Sequence, residues 1–370
     1  CFHAGMGQGP ETSVVPEYYP YMSKGWKDAF AKSAAYADSL GLEFATAASP
    51  GWSETGGPWV KPEDGMKKMA FAVTYVEGGK PFMGVLNQPP STTGVYQTST
   101  SGSGHQGNMG AEKPLLYKDQ KVLAFQVSKD EILPTPVIIS SGGELNATAL
   151  SDGLYDGSAI KLPAAKEVGG ISWIQFDYFK QVTVRGLALS TPVRGPVLFK
   201  LESCTDGVNW TDSGAKIIGG SVVRTNSVDN VNARYFRLVS VKQAPAPPSG
   251  WSRWGGQTPP PAENVDITEL SITGTPTVHS FEMKAAFFSE RGGNGYYDLP
   301  GGSAGTEAAI KTSKVLDLTE QLHADGTLTW TPPAGQWIVL RIGYSLTGAQ
   351  NRPAAPEATG LEVDKLDTAA

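Results

Sequence analysis

At 370 residues the chain exceeds one ordinary hydrophobic core, so two or more domains are expected, and 44 glycines and 27 prolines against 18% charged residues suit a turn-rich, mainly β protein. A net charge of −6 without a Lys/Arg cluster argues against nucleic acid as a partner, and no window approaches the roughly 18 consecutive apolar residues of a membrane span. Cys1 and Cys204 are too few for a disulfide framework; they could pair, but are expected to be free or buried, and the scattered His3, His105, His279 and His323 give no zinc pattern.

Cys1-Phe2-His3-Ala4-Gly5 reads as the tail of a strand entering a loop. From Tyr21 the pattern turns helical: Ser23 is a fair N-cap, Trp26, Phe30, Ala34, Ala37 and Leu40 recur on one face, and Gly41 is a C-terminal cap. Residues 42–47 then read as an apolar strand, and helix, one-residue turn and strand together make half of a βαβ unit. The stretch that follows, Ser49-Pro50-Gly51-Trp52-Ser53-Glu54-Thr55-Gly56-Gly57-Pro58-Trp59, lies past that strand's carboxyl end, where barrel enzymes place their sites. A pyranose has an apolar C–H face and a rim of hydroxyls, and Trp52, Trp59 and Glu54 are the residue types that hold one. The same types equally suit a loop whose two tryptophans cap the end of a core. Pro62, with Glu63 and Asp64 in a first turn and Met66, Met69, Ala70 and Val73 on one face, predicts a second helix, although residues 71–76 also alternate as a strand does.

Residues 78–114 are rich in Gly, Ser, Thr and Pro, the composition of a site-covering insertion or a linker. His105, Gln106 and Asn108 there are either ligand-reaching or solvated, and Gly102-Ser103-Gly104 lacks the strand and helix of a nucleophile elbow. Residues 115–127 read as one or two strands. From 136 to 275 short apolar runs at 171–176, 182–189, 197–201 and 235–239 are split by turn residues, the grammar of a β-sandwich. Within it, Asp206-Gly207-Val208-Asn209-Trp210 predicts a hairpin turn with its indole over the end of the core, and Arg234 and Arg237 alternate around Tyr235. Residues 244–261 form a proline-rich excursion carrying Trp251 and Trp254, and 266–273 should close the sheet. Further strands are expected at 315–318 and 337–344, with a hairpin and proline-stiffened turn at 325–335. In the stretch 358–366, Glu362 and Asp364 share a strand face while Val363 points away, and Lys365 follows. Read bare, this is a solvated strand end before it is a site.

The segment 49–68, SPGWSETGGPWVKPEDGMKK, preceded by 21–44, YMSKGWKDAFAKSAAYADSLGLEF, resembles the early barrel segment of the glycoside hydrolase family 106 α-L-rhamnosidases. The order of motifs in 136–275 resembles the galactose-binding-like, discoidin-type jelly roll. The resemblance implies an α/β plus all-β chain: a partial (β/α)8 barrel interrupted by an inserted jelly-roll β-sandwich and further β-strands. Its parts are early βα units at 1–77, a Gly/Ser-rich insertion and strands at 78–135, the sandwich at 136–275, a β-rich connecting domain at 276–348 and the return to the barrel at 349–370. It further implies an inverting, calcium-assisted glycosidase acting on a rhamnose-containing glycan or glycoside in the periplasm or outside the cell. Glu362 is then one member of the catalytic carboxyl pair, its partner lying beyond Ala370 or, second in rank, being Glu54. Trp52, Glu54, Trp59, Asp364 and Lys365 would surround the sugar, and Glu54, Glu362 and Asp364 are candidate calcium neighbours. The chain is accordingly expected to be part of a longer enzyme and inactive alone. The alternative is a carbohydrate-binding or adhesion protein acting through the sandwich; a narrower one is a related barrel glycosidase acting on another deoxy-sugar.

Overall fold

The computed structural model describes residues 2–3, 19–20, 22–47, 55–89, 116–151, 160–192, 197–220, 223–244, 263–284, 309–348, 350–351 and 360–368. The first elements are β1 (Phe2–His3), α1 (Lys24–Ser39) and β2 (Thr46–Ala47). Ser23 Oγ accepts the Trp26 N–H at 3.2 Å, as an N-cap does. At the other end Gly41 sits at φ +64, its N–H bonding Asp38 O and that of Leu42 bonding Ala37 O, which is a Schellman closure. Trp26 stacks on Phe30 at 5.5 Å between centroids, and Phe30 meets Phe44 edge-on at 5.3 Å. Leu40, placed on the apolar face by its spacing, is exposed. Of the strand expected at 42–47, Thr46 and Ala47 form a ladder, with Phe2 and His3 of β1, and residues 42–45 are not in strand. This pair is parallel, with α1 between its strands in the chain; every other strand pairing among the described residues is antiparallel.

Next come β3 (Gly56–Gly57), β4 (Lys67–Glu77), β5 (Phe82–Val85) and β6 (Tyr117–Val127). The helix expected from Pro62 does not form. Pro62–Asp64 makes a single 3-10 turn, and the eleven residues of β4 are extended. Gly65 weakens a helix there, and Phe71, Val73, Thr74, Tyr75 and Val76 are β-branched or aromatic residues that favour a pleated surface once partners are at hand.

The 3-10 turn Lys129–Glu131 leads into the sandwich. Its elements are β7 (Val137–Ser140), β8 (Ile160–Pro163), β9 (Ile171–Ser190), β10 (Val197–Cys204), β11 (Thr211–Gly219), β12 (Arg224–Val241), β13 (Asn264–Ile267), β14 (Glu269–Thr273) and α2 (Phe281–Lys284). The main sheet runs β11-β10-β12-β9-β14, with β7 also on β9, and β8 pairs with β13 as a separate ribbon. β9 bends at Phe179, a left-handed residue at φ +61 whose N–H is held by Asp177 Oδ1 at 2.8 Å. Ile174 and Phe176 before the bend, and Val184, Leu187 and Leu189 after it, enter one core with Phe199, Leu201, Ile217, Phe236 and Leu238. The sheet therefore folds back over itself, which is how a few long strands enclose a sandwich core. Residues 266–273 do not form one strand: Thr268 intervenes, β13 joins β8, and β14 joins β9.

The Asp206 turn forms, its Oδ1 accepting the N–H groups of Val208 and Asn209 at 2.9 and 2.8 Å. Trp210, expected over the end of the core, instead stacks with the Arg237 guanidinium at 4.3 Å, and Arg237 pairs with Glu202 across the ladder. Arg234 forks onto Asp177 with bonds of 2.8 and 2.9 Å. Cys204 is a free, buried thiol bonded to Asp206 Oδ1 at 3.0 Å; Cys1, His105, Gln106, Asn108, Trp251 and Trp254 lie outside the described residues.

After the sandwich come β15 (Val315–Asp317), β16 (Thr327–Trp330), β17 (Gln336–Leu346) and β18 (Leu361–Glu362). β17 inserts between β4 and β6, giving the sheet β15-β6-β17-β4, while β16 pairs with β5. A second core gathers Val76, Leu86, Val122, Ala124, Leu318, Leu328, Trp337 and Val339. Strands from before and after the sandwich thus build one sheet, and residues 67–77 lie in it rather than in a βα unit. Polar groups follow the apolar ones along it. Arg341 forks onto Asp119 with two bonds of 2.8 Å and donates to Leu86 O at 3.1 Å. The turn at Asp325 closes as expected, with Gly326 at φ +83 and Thr327 N–H on Asp325 Oδ1 at 2.9 Å.

Candidate active site

The β4–β17 ladder runs on into a second, smaller pairing. Past its last residues the Thr347 N–H bonds Met66 O at 2.8 Å, while the Met66 N–H bonds Glu362 O, also at 2.8 Å. Met66 therefore carries the hydrogen bonding of the sheet across to β18. β18 pairs antiparallel with β3, Leu361 opposite Gly57 and Glu362 opposite Gly56. Asn351, fully buried, clamps the pair: its Nδ2 donates to Gly56 O at 3.2 Å and its Oδ1 accepts the Gly360 N–H at 2.8 Å. Two glycines are needed for this approach. A Cβ on Gly56 would stand 2.6 Å from Asn351 Cβ, and one on Gly360 would stand 1.9 Å from the Gly57 carbonyl.

The closure seats the glycine-rich loop on a carboxylate. Thr55 Oγ1 donates to Glu362 Oε2 at 2.9 Å across 307 residues of sequence, and Lys365 Nζ stands 3.3 Å from the same oxygen. Glu362 is buried at 6% exposure, so these contacts occupy a carboxylate largely removed from water. Trp59 folds back over Gly57, where an added Cβ would lie 2.4 Å from its ring, and leaves its indole 63% exposed. A buried carboxylate and an ammonium thus stand together at the β3–β18 junction, and the Trp59 ring packs on Gly57, the residue opposite Leu361.

Asp364 does not share the surroundings of Glu362 as alternation along a strand predicts. β18 ends at Glu362; Val363 then bridges Gly65, and Asp364 N–H bonds Asp64 O, so the side chain reaches Lys67 at 3.2 Å instead. Lys67 also approaches Asp367 at 3.8 Å. Its neighbour Lys68 is buried, which pushes its ammonium down to about 8. Trp52 and Glu54 lie outside the described residues. Thr55, Asn351 and Lys67 were not singled out as site residues from sequence; Thr55 lay inside the quoted loop, and Asn351 carried no local signal. Of the three candidate calcium neighbours, Glu54 lies outside the described residues and the other two face lysines. Glu362 faces Lys365, Asp364 faces Lys67, and the described residues hold no cluster of three or more His, Cys, Asp or Glu able to bind a metal.

The model of glycoside hydrolase family 106, described as alpha-L-rhamnosidase, matches residues 2–370. This chain belongs to that family. A solved structure, of a rhamnosidase from Novosphingobium sp. PP1Y, is 36% identical with a TM-score of 0.70, over 96% of this chain and 31% of that one. The chain therefore spans about a third of the length of that enzyme. A curated protein of Formosa agariphila, provisionally named a beta-glucuronidase, is 43% identical over 65 residues, 18% of this chain and 6% of that protein. The described residues are mostly β in content, and no helix among them is long and apolar enough to cross a membrane.

Proposed function

We propose that the chain is part of an enzyme that removes terminal α-L-rhamnose from a glycan or glycoside with inversion, and that Glu362 is one of the two carboxyl groups astride the bond. The observation that carries this is the 2.9 Å bond from Thr55 to Glu362, a buried carboxylate that Lys365 also approaches at 3.3 Å. Trp59 then forms the wall for the apolar face of the sugar, and Lys365 orients Glu362 and reaches the hydroxyl rim. Inversion needs a second carboxyl group roughly 6.5–9.5 Å away, so that a water fits between. With Asp364 committed to Lys67, that partner comes from elsewhere in the whole enzyme, Glu54 ranking after it, and the 370 residues alone should show no turnover. Calcium, where the whole enzyme binds it, would supply positive charge to the sugar hydroxyls from donors other than Glu362 and Asp364. A glycan substrate implies work in the periplasm or outside the cell.

The test is release of rhamnose from an aryl α-L-rhamnoside by the complete enzyme, with and without a calcium chelator. Glu362→Gln should lower kcat by about 10³-fold or more with the circular dichroism spectrum unchanged. A dinitrophenyl leaving group separates the roles: it restores much of the rate if Glu362 is the acid and little if it is the base. Retained turnover on both substrates removes Glu362 from the mechanism.

A further inference from the structure

A cleft of about 550 Å³ opens where the link into the sandwich meets the bend of β9. It shares no residue with the Glu362 cluster, and its size falls in the roughly 300–1,000 Å³ range of small-molecule sites. Lys129, Lys180 and Arg185 line it with only one carboxylate, Asp130, so its local charge is opposite in sign to the net −6 of the chain. Among the described residues neither Lys129 nor Lys180 is engaged in an ion pair, and both side chains reach water.

Arg185 is held in place rather than neutralised. Its Nε donates to Asn230 Oδ1 at 2.9 Å and its Nη1 to Gly274 O at 2.8 Å, which leaves the other amino nitrogen for a further acceptor. The walls are fixed against each other: a Cβ on Gly274 would stand 2.8 Å from Glu131 O and 2.9 Å from Leu133 Cδ2, so the link rests directly on the sandwich. Ile132, Leu133 and Val182 give the cleft an apolar side, and the amides of Gln181 and Gln336 give it donors and acceptors.

We propose that this cleft is a second saccharide site, built for a short oligosaccharide bearing uronate carboxylates. A small inorganic anion would satisfy the cations but leave most of the volume and the apolar side unused. A neutral sugar would fill the volume and leave the cations uncompensated. A uronate ring uses both, its carboxylate meeting the guanidinium and ammonium groups and its C–H face the apolar side. The choice of a saccharide rests on the glycosidase reading; the charge and shape do not.

The test is calorimetry of the full 370-residue chain with trigalacturonate, with the same trimer fully methyl-esterified, and with inorganic phosphate. Trigalacturonate should bind at millimolar or tighter Kd and weaken as salt is raised, the ester and phosphate should not bind comparably, and the Lys129→Ala/Lys180→Ala double variant should lose about tenfold or more in affinity. Both lysines are exposed, so an unchanged melting temperature will show that the variant folds. Equal affinity of the double variant, equal affinity for the ester, displacement of the trimer by equimolar phosphate, or no binding at all each overturns the proposal. Rhamnose release is measured on a neutral aryl glycoside, so failure there is a separate result.

Discussion

An alanine at position 360 tests the site while leaving every one of its functional groups in place. Its Cβ would stand 1.9 Å from the carbonyl carbon and oxygen of Gly57 and 2.4 Å from Pro58 N. All three are backbone atoms, so no side chain can rotate away, and comfortable carbon contacts begin near ~3.5 Å. β18 must therefore move from β3 by about 1.5 Å, taking with it the Gly360 N–H bond to Asn351 and the 3.2 Å bond from Asn351 N–H to Gly360 O. Overpacking costs about 1–3 kcal/mol and each lost hydrogen bond about 1 kcal/mol, so roughly 3–5 kcal/mol acts on a ladder only two residues long. That exceeds what so short a ladder can hold, and the strain is relieved by local detachment rather than by unfolding of either core.

The expected outcome is a fall in kcat of about 10²-fold in the complete enzyme, the usual cost of misplacing a catalytic group by ~1 Å. Hydrogen exchange should quicken at the amides of Met66, Val363 and Asp364, which now bond Glu362 O, Thr55 O and Asp64 O, while the amides of β9 and β12 stay protected. Unchanged turnover together with unchanged exchange at those three amides would show that the β3–β18 contact is not what positions Glu362.

Arg341→Met removes the fork onto Asp119 and should cost about 1–3 kcal/mol in urea unfolding, less than a fully buried pair because Asp119 is 38% exposed. The Arg341 hydrogen bond, opposed by partial burial, holds the Asp119 carboxyl below its usual range, so its stabilisation is complete above about pH 4 and is lost as pH falls lower; the variant should lack that acid limb. Phe236→Ala empties a fully buried site 6.0 Å from the Tyr178 ring and should destabilise the sandwich by about 3–5 kcal/mol, read from its urea midpoint. In a Cys1→Ser background, Cys204 should react with a thiol reagent only after denaturation, since it is 4% exposed; labelling of the native chain would contradict its burial.

What could be read from sequence divides by the range of the interaction that decides it. α1 was legible because Ser23, the apolar recurrence and Gly41 all act within a few residues of one another. The alternation in β9 and in residues 233–239 of β12 was legible for the same reason, since a half-buried face prints a period of two on the chain whatever its partner, whereas residues 224–232 of β12 were not read as strand. β4 was legible only in the alternation of 71–76: Pro62, Glu63 and Asp64 signal a helix start locally, and what overrules them is a ladder from Lys67–Leu346 to Glu77–Gln336 with a strand made after the sandwich. The break at Thr268 is likewise set by β8 and β9, not by residues 266–273 themselves.

The site follows the same division. Residue types singled out the loop and Glu362, but Thr55 and Asn351 matter only once Gly56 and Gly360 have met, and no spacing records that meeting. Asp364 pairs with Lys67 rather than joining Glu362 because alternation holds only while a strand lasts, and β18 lasts two residues before Val363 bridges Gly65. Met66 shows why the closure is not a loose loop contact. Its carbonyl is bonded by the strand that returns from the sandwich and its N–H bonds the residue proposed for catalysis, so the register of the four-stranded sheet is transmitted directly to Glu362. The long-range ladder that defeats local reading of β4 is therefore what sets the position of the carboxylate, and a register error in β17 would displace the site before it disturbed the sandwich core.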